Sequence, residues 1–489
     1  MPEIKHFIVL MLENRAFDHL FGFFQPTLGQ TINNLLGAAA TSSNLLDPAK
    51  PESDTNPRFT AKESAPFAVH DKEGPSHSFN STCVQLCNDK AGPTAANPVR
   101  NNGFVRSYKD ELLRRTHQVD RNVIAEVITS FAPVQLPTIN KLAEEFCLCD
   151  RWHCEVPGPT MPNRMYVHAA TSEGYVHNNF KRIYNCKTIY QLVEEKGLTW
   201  AVYFHDLNEA IQFQGLAKTP EHFRRFDERW ASDVQNGDLP NYVFIFPRFL
   251  NKGSINGQNG RPANSQHAPE DVRFGEHLIA DVYDALAANH DLWKDSVLIV
   301  TYDENGGFYD HIPPPGEDIP NPDGIDSPNA DDTATFTVPT FSFDRLGFRV
   351  PAIIASPRIA KGAIENRRLQ HTSVIKTATE IFGLAGPLNE RDKSAASFAD
   401  LLNNQPRPKE DMPVKLPRPS LENAVFSTVA GVAVDPGDEP LDSLTEQWVR
   451  DTVALTGGEI TLAGATVAPE TQGAASDLVE RLLKNKYGI

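Results

Sequence analysis

Short apolar runs recur along the chain, and polar residues follow each of them at once. Residues 4–12 and 296–300 are rich in β-branched and other apolar side chains, which predicts two buried strands. Residues 200–204 and 350–356 show the same pattern, and strand-like and helix-like runs alternate between residues 180 and 295. The alternation predicts an α/β protein.

Carboxylates stand at the ends of the first two predicted strands. Asp303 and Glu304 follow one of them, and Glu13 and Asn14 follow the other. Ligands of open α/β sheets bind beyond the carboxyl ends of the strands, and unpaired buried carboxylates are costly, so a bound cation would explain them. The pattern favours a metal or phosphate site, while an acidic loop that only ends a strand remains the alternative.

Residues 156–164 form a proline-rich turn that leads into a helix-forming segment, residues 165–170. Pro162 suits the first turn of a helix, which would place Thr160 just before the helix N-terminus, where anions are attracted. A hydroxyl at that place beside a metal can attack phosphorus, and Arg164 could hold a phosphoryl oxygen. The alternative makes Thr160 a helix cap and Arg164 one half of a surface ion pair.

Composition narrows the choice of function. The chain has 489 residues and a formal net charge of −17, which argues against general binding to nucleic acid or to anionic lipid through a basic patch. No apolar run is long enough for a membrane span. The chain begins Met-Pro-Glu without a secretory leader, so we expect a protein that is cytoplasmic or exported as a leaderless or processed protein. Six cysteines leave local disulfides open.

Three motifs resemble those of one enzyme family, the phosphoesterases that include bacterial and plant phospholipases C and a bacterial acid phosphatase. They are Glu-Asn-Arg-Ala-Phe-Asp-His at residues 13–19, Pro-Gly-Pro-Thr-Met-Pro-Asn-Arg at 157–164 and Asp-Glu-Asn-Gly-Gly-Phe-Tyr-Asp-His at 303–311. The resemblance runs from residue 4 to about residue 400. It implies an alkaline-phosphatase-like α/β core, with a central, mostly parallel sheet and helices on both faces. Ala16 replaces the usual Ser, and Phe246 stands where a carboxylate is common.

Carried over position by position, the resemblance implies one divalent metal ion, whose identity the sequence leaves open. Its ligands would be Glu13, Asn14, Thr160, Asp303 and Glu304. Thr160 would also be the nucleophile. The other catalytic residues would be His77, His267, Arg164 and His205, and the substrate-binding residues Asp310 and His311.

The segments between and beyond the motifs suggest an outline of domains. We expect a catalytic domain over residues 1–400, with a helical cap insertion at 76–135 and an acidic loop at 316–335 that acts as a lid. Residues 40–75 are polar and predict a surface loop. Residues 401–489 predict a C-terminal appendage with two short helices, at 441–455 and 475–487.

The sequence therefore predicts a metal-dependent phosphoester hydrolase of phospholipase C type, which cleaves the glycerol-side phosphodiester through a phosphorylated Thr160. Acid phosphatase activity on monoesters is the alternative. Sulfatase activity is disfavoured because Cys154-Glu-Val-Pro-Gly does not match the usual Cys-x-Pro-x-Arg nucleophile site, and a non-catalytic binding protein is disfavoured by the complete ligand set. A zwitterionic lipid such as phosphatidylcholine is the expected substrate. We expect an apolar rim beside the metal, made of Phe17, Phe21, Phe23, Phe24, Phe104, Phe308 and Tyr309. The alternative is that most of these are ordinary core residues.

Overall fold

The centre of the protein is an eight-stranded sheet. The computed structural model describes residues 3–178, 183–216, 219–251, 261–327 and 339–424, with a few short pieces beyond residue 424. In chain order the strands are β1 His6–Leu12, β2 Cys147–Cys149, β3 Trp200–Phe204, β4 Phe223–Arg225, β5 Tyr242–Ile245, β6 Ser296–Tyr302, β7 Ala352–Ala355 and β8 Ala363–Glu365.

The strands lie in the order β8-β2-β7-β6-β1-β5-β3-β4. Only β7 runs antiparallel to its neighbours, and the other pairings are parallel. All residues of β6, and all of β1 except His6, are buried, so both faces of the sheet are covered. The expected α/β fold with a mostly parallel sheet is confirmed.

The α-helices pack in groups. Their bounds are α1 Phe17–Phe21, α2 Phe79–Cys87, α3 Phe104–Thr116, α4 Arg121–Ala125, α5 Pro137–Glu145, α6 Thr160–Ala169, α7 Ile189–Glu195, α8 Phe226–Asn236, α9 Arg273–Ala288, α10 His290–Trp293, α11 Thr372–Phe382 and α12 Glu390–Ser394. One group has α5, α8 and α10 packed on α9. In a second group α6 packs on α7 and α11, which also contacts α12, and in a third α3 packs on α2 and α4. Short 3₁₀ turns lie at Glu126–Ile128, Pro133–Gln135, Glu209–Gln212, Pro220–His222, Ala399–Leu401 and Lys409–Asp411.

Smaller strand pairs lie outside the main sheet. They are Ser43–Leu45 with Arg58–Thr60, Lys62–Glu63 with Thr129–Ser130, Trp152–His153 with Leu369–Gln370, Thr428–Val429 with Val432–Ala433, and Thr461–Leu462 with Ala465–Thr466. The first pair lies within residues 40–75, so the expected loop contains a two-stranded ribbon. Helices α2, α3 and α4 lie within residues 76–135, where helical content was expected, and the role of this segment as a cap insertion stays a prediction.

Residues beyond 400 continue along the core as far as the structure follows them. The Tyr283 hydroxyl donates to Pro413 O at 2.7 Å, and Arg273 donates to Ser420 O at 2.9 Å, so this segment lies along α9. Residues 328–335 of the expected lid lie outside the described residues. So do the two expected C-terminal helices, apart from Leu478, which is helical.

Two further expectations concern cysteines and membranes. All six cysteines are free thiols, and none of the local disulfides that their spacing left open is formed. Across the described ranges, no helix combines the length and the apolarity that crossing a bilayer requires.

Candidate active site

The register of the central strands brings the first and third motifs together. Strands β1 and β6 are adjacent and parallel, and Leu12 pairs with Tyr302 at their carboxyl ends. Glu13 and Asn14 therefore leave the sheet beside Asp303 and Glu304. The sequence predicted that each pair follows a strand, and the strand order makes the two pairs neighbours.

Asn14 is the hub of this cluster. Its backbone N–H donates to Asp303 Oδ1 at 2.9 Å, and its side-chain oxygen accepts from the Thr160 hydroxyl at 3.4 Å. Its side-chain nitrogen lies 3.2 Å from His77 Nε2. The residue has a φ of 59°, a left-handed conformation that asparagine tolerates better than most residues. One amide thus joins the three motifs and the segment that carries His77.

Thr160 is the first residue of α6, only 1% exposed. The turn before it is held by Asn163, whose side-chain nitrogen donates to the carbonyls of Val156, Gly158 and Pro159 at 3.0–3.1 Å. The helix begins at Thr160 itself, which was expected just before the helix, and Pro162 lies in the first turn as expected. The hydroxyl is therefore at a helix N-terminus, where N–H groups favour a nearby anion.

A double glycine allows the third motif to approach Asn14 closely. Gly306 has a φ of 62°, and a β-carbon there would lie 2.1 Å from Asn14 O. Gly307 has a φ of 73°, and a β-carbon there would lie 2.7 Å from Ser76 O. Neither position can take a larger side chain without movement of the backbone that holds the site.

The carboxylates of the cluster suit a cation. Glu304 is fully buried; Oε2 accepts from Gly306 N at 2.7 Å, but Oε1 has no hydrogen-bond partner within the part of the chain that the structure describes. Burial, and then the neighbouring Asp303, raise the pKa of Glu304 well above its usual range. Burial also raises the pKa of Asp303. An orphaned carboxylate oxygen, in a cluster that also holds the Asn14 amide and the Thr160 hydroxyl, supplies the kind of oxygen ligand that a hard divalent ion prefers.

Arg164 lies beneath this cluster and is fully buried. Its Nε donates to Asp303 Oδ2 at 3.1 Å, one terminal nitrogen donates to Leu12 O at 3.1 Å, and the other to Glu209 Oε1 at 3.4 Å. Burial would lower its pKa, but Glu209, Asp303 and Glu13 outweigh burial and raise it. These contacts direct the guanidinium at protein acceptors and do not support the expected role as a ligand of a phosphoryl oxygen. They also differ from the alternative of a surface ion pair.

The predicted histidines lie in two places. His77 and His267 are neighbours, with ring centroids 5.6 Å apart, and His77 Nε2 lies 3.9 Å from Glu304 Oε1. Burial, and then the charge of His267, lower the pKa of His77 to about 3, so this ring is neutral near pH 7. His205 instead contacts Phe246 O at 2.9 Å through Nδ1, and its Nε2 lies 3.6 Å from Asp227. Its catalytic role stays a prediction.

Comparison with known proteins identifies the family. A family model described as the Phosphoesterase family matches residues 4–385. The chain belongs to the Phosphoesterase family. It is therefore a hydrolase that acts on phosphoester bonds.

Curated relatives of this phosphoesterase are similar over most of their length. Non-specific phospholipase C3 of Arabidopsis thaliana is 33% identical over 428 residues, which cover 85% of this chain and 76% of the relative. Phospholipase C B of Mycobacterium tuberculosis is 27% identical, covering 89% and 86%. A solved protein of the alkaline phosphatase superfamily from Vibrio parahaemolyticus aligns at 12% identity over 56% of this chain and 65% of its own, with a TM-score of only 0.30.

The expected substrate-binding pair of this phosphoesterase, Asp310 and His311, lies in a separate ionic network. Together with Asp18 they form the one trio of acidic and histidine side chains, in the described ranges, whose ligand atoms all lie within 4.8 Å of one another. Arg349 already pairs with both carboxylates of this trio, because its Nε lies 3.0 Å from Asp310 Oδ1 and a terminal nitrogen lies 3.0 Å from Asp18 Oδ1. The network joins α1, the third motif and the segment before β7; substrate binding by the pair stays a prediction.

Two polar residues behind the site carried no role in the sequence analysis. His371 Nε2 lies 2.7 Å from the Asp303 carbonyl, and the Trp152 indole donates to its Nδ1 at 3.2 Å, so His371 donates to Asp303 O. Glu209 contacts Arg164, as described above. A Glu in a short 3₁₀ turn after β3 has no local sequence signal, since its role depends on a partner on another helix.

Proposed function

We propose that this phosphoesterase is a phospholipase C that cleaves the glycerol-side phosphodiester of zwitterionic phospholipids, with Thr160 as its nucleophile. The observation that carries the proposal is the meeting of three distant segments at Asn14, which contacts the Thr160 hydroxyl, Asp303 and His77. The names of the relatives, non-specific phospholipase C in the plant and phospholipase C B in the bacterium, support the reaction type.

One divalent ion completes the proposed site. Its ligands would be Glu13, Asn14, Thr160, Asp303 and Glu304. When bound, the ion would polarise the phosphoryl oxygens and stabilise the negative charge that develops on them.

The proposed reaction has two steps. The Thr160 oxygen attacks phosphorus and its proton passes to solvent, while the bond from phosphorus to the glycerol oxygen breaks. The leaving oxygen takes a proton, which we assign to His267 because the low pKa of His77 leaves that ring without one, and diacylglycerol departs. Water then attacks phosphorus, the bond from phosphorus to the Thr160 oxygen breaks, and that oxygen takes one proton of the water. The phosphorylated headgroup is released and His267 regains its proton from solvent.

Charge favours a diester over a monoester. A phosphomonoester dianion needs more positive charge than a diester monoanion. Arg164 is the guanidinium that contacts Asp303 in this cluster, and its donors are used by Asp303, Glu209 and Leu12. His77 is neutral, so neither Arg164 nor His77 offers unpaired positive charge to a dianion.

The apolar rim that we expected to help bind the acyl chains is not at the surface. Of its expected members, all but Phe23 are buried, and Phe104, Phe308 and Tyr309 share one core cluster. The alternative that these are core residues is confirmed for those buried positions. The preference for a phospholipid thus depends on charge and on the named relatives.

Product analysis tests the proposal. The full chain would be incubated with mixed micelles of phosphatidylcholine, and the products measured by mass spectrometry, with Thr160→Ala as the control. We expect diacylglycerol and phosphocholine from the wild type, with slower hydrolysis of an aryl phosphate at mildly acidic pH. Cleavage of monoesters alone would assign the chain to the acid phosphatase alternative.

A further inference from the structure

We infer that Glu209 is a positioning residue that sets the affinity of the proposed site for its divalent ion, by balancing the charge of Arg164. The inference rests on the metal site of the proposed function. Glu209 contacts Arg164 and His168, and it acts on the proposed ligands through the Arg164 guanidinium.

The geometry places Arg164 between two sets of carboxylates. On one side its Nε lies 3.1 Å from Asp303 Oδ2 and a terminal nitrogen lies 3.8 Å from Glu13 Oε1. On the other side its second terminal nitrogen lies 3.4 Å from Glu209 Oε1. The side chains of Arg164, Asp303 and Glu209 are all completely inaccessible to solvent. In such surroundings unbalanced charge acts strongly on its neighbours.

The place of Glu209 is itself fixed by a buried chain of polar contacts. Its Oε1 lies 3.3 Å from His168 Nε2, and His168 Nδ1 lies 3.0 Å from the Tyr190 hydroxyl. His168 follows Arg164 by four residues on α6, so the two side chains lie on one face of that helix. Glu209 is thus held against both residues of this face and has little freedom to turn away.

Competition between cations gives the expected effect. Asp303 and Glu13 are proposed ligands, and the same two carboxylates attract Arg164. While Glu209 matches the charge of Arg164 from behind, Asp303 and Glu13 remain available to a divalent ion. Without that charge the guanidinium draws more strongly on both ligands and repels the incoming ion. Changes to groups that orient metal ligands typically weaken metal affinity by about 10- to 100-fold, and we expect Glu209→Gln to fall in this range.

A matched control separates this role from a structural one. Glu155 is equally inaccessible and lies 3.4 Å from a terminal nitrogen of Arg391, but it makes no contact with Arg164. Glu155→Gln should lower stability and leave metal affinity unchanged. A purely structural Glu209 would behave in the same way.

The test is a titration of the metal-stripped full chain with Mn²⁺. Binding is measured by calorimetry and by the electron paramagnetic resonance signal of the free ion. We expect the wild type and Glu155→Gln to bind with equal affinity, and Glu209→Gln to bind at least about tenfold more weakly. Equal affinity of the wild type and Glu209→Gln would overturn the inference and leave the metal site standing. No binding by the wild type would instead reject the metal site, and with it this inference.

A second variant covers the case in which Glu209→Gln does not fold. Glu209→Asp keeps the charge but lengthens the contact with Arg164 by about one bond. We expect its Mn²⁺ affinity to fall severalfold. Wild-type affinity in Glu209→Asp would also overturn the inference.

Discussion

Arg349 offers the most direct test of how the third motif is held in place. Its guanidinium lies 3.0 Å from carboxylate oxygens of both Asp310 and Asp18, and donates to the carbonyls of Asn33 and Asp150 at 2.7 and 2.8 Å. All of Arg349, Asp18 and Asp310 are buried. Arg349→Met keeps most of the stem and removes the charge, so two buried carboxylates lose their shared partner.

The expected cost follows from this burial. Removing one partner of a buried ion pair costs about 3–5 kcal/mol, mainly because the other charge stays buried and unpaired. For a cooperative unit of roughly 400 residues, an unfolding entropy of about 2.1 cal/mol/K per residue converts that cost to a fall in Tm of about 4 to 6 °C. The control is Arg114→Met, which removes an exposed ion pair to Glu111 and should cost less than about 1 kcal/mol.

Scanning calorimetry of both variants at one scan rate measures the difference. The double variant Arg349→Met with Asp310→Asn should be more stable than Arg349→Met alone, since one of the unpaired charges is then gone. A Tm of Arg349→Met within about 1 °C of the wild-type Tm would refute the account of this network. A fall in Tm no larger than that of Arg114→Met would refute it as well.

Three further predictions concern the metal, the double glycine and pH. Elemental analysis should find about one divalent ion per wild-type chain, and Asp303→Asn should lose it; unchanged metal content in this variant would reject the ligand assignment. Gly306→Ala should abolish most activity, because its β-carbon would lie 2.1 Å from Asn14 O. The control Gly37→Ala should stay active, because no heavy atom lies within 4 Å of the β-carbon added there. Equal activities of the two variants would contradict the close approach. Burial raises the pKa of Asp310 to about 6, so its contribution to stability is fully present below about pH 4 and is lost as the pH rises through 6. Urea unfolding between pH 4 and 7 should show this loss in the wild type relative to Asp310→Asn, and parallel profiles would argue against it.

The sequence predicted the parts of the fold that depend on local pattern. Apolar runs located β1, β3, β6 and β7, because a strand buried on both faces is apolar at nearly every position. The sequence did not predict that β7 is antiparallel, because the direction of a strand depends on the path of the long connection from β6. The start of α6 was predicted to within about one residue, because Pro162 suits the first turn of a helix.

The candidate site was predictable where chemistry lies next to a strand end. Glu13, Asn14, Asp303 and Glu304 meet as expected because β1 and β6 are neighbours. The surroundings of Arg164 were not predictable, since its partners come from three separate segments. The places of Glu209 and His371 near the site were not predicted for the same reason, because each contacts a residue far away in sequence.

The central claim is that Thr160 attacks phosphorus. Its most direct test is to quench the full chain with acid during turnover of phosphatidylcholine and to map the modified peptide by mass spectrometry. We predict a phosphocholine adduct on the peptide that contains Thr160, no adduct in Thr160→Ala, and turnover by that variant at least about a thousandfold lower with unchanged fold. An adduct on another residue, or a Thr160→Ala variant that retains most of its activity, would contradict the mechanism.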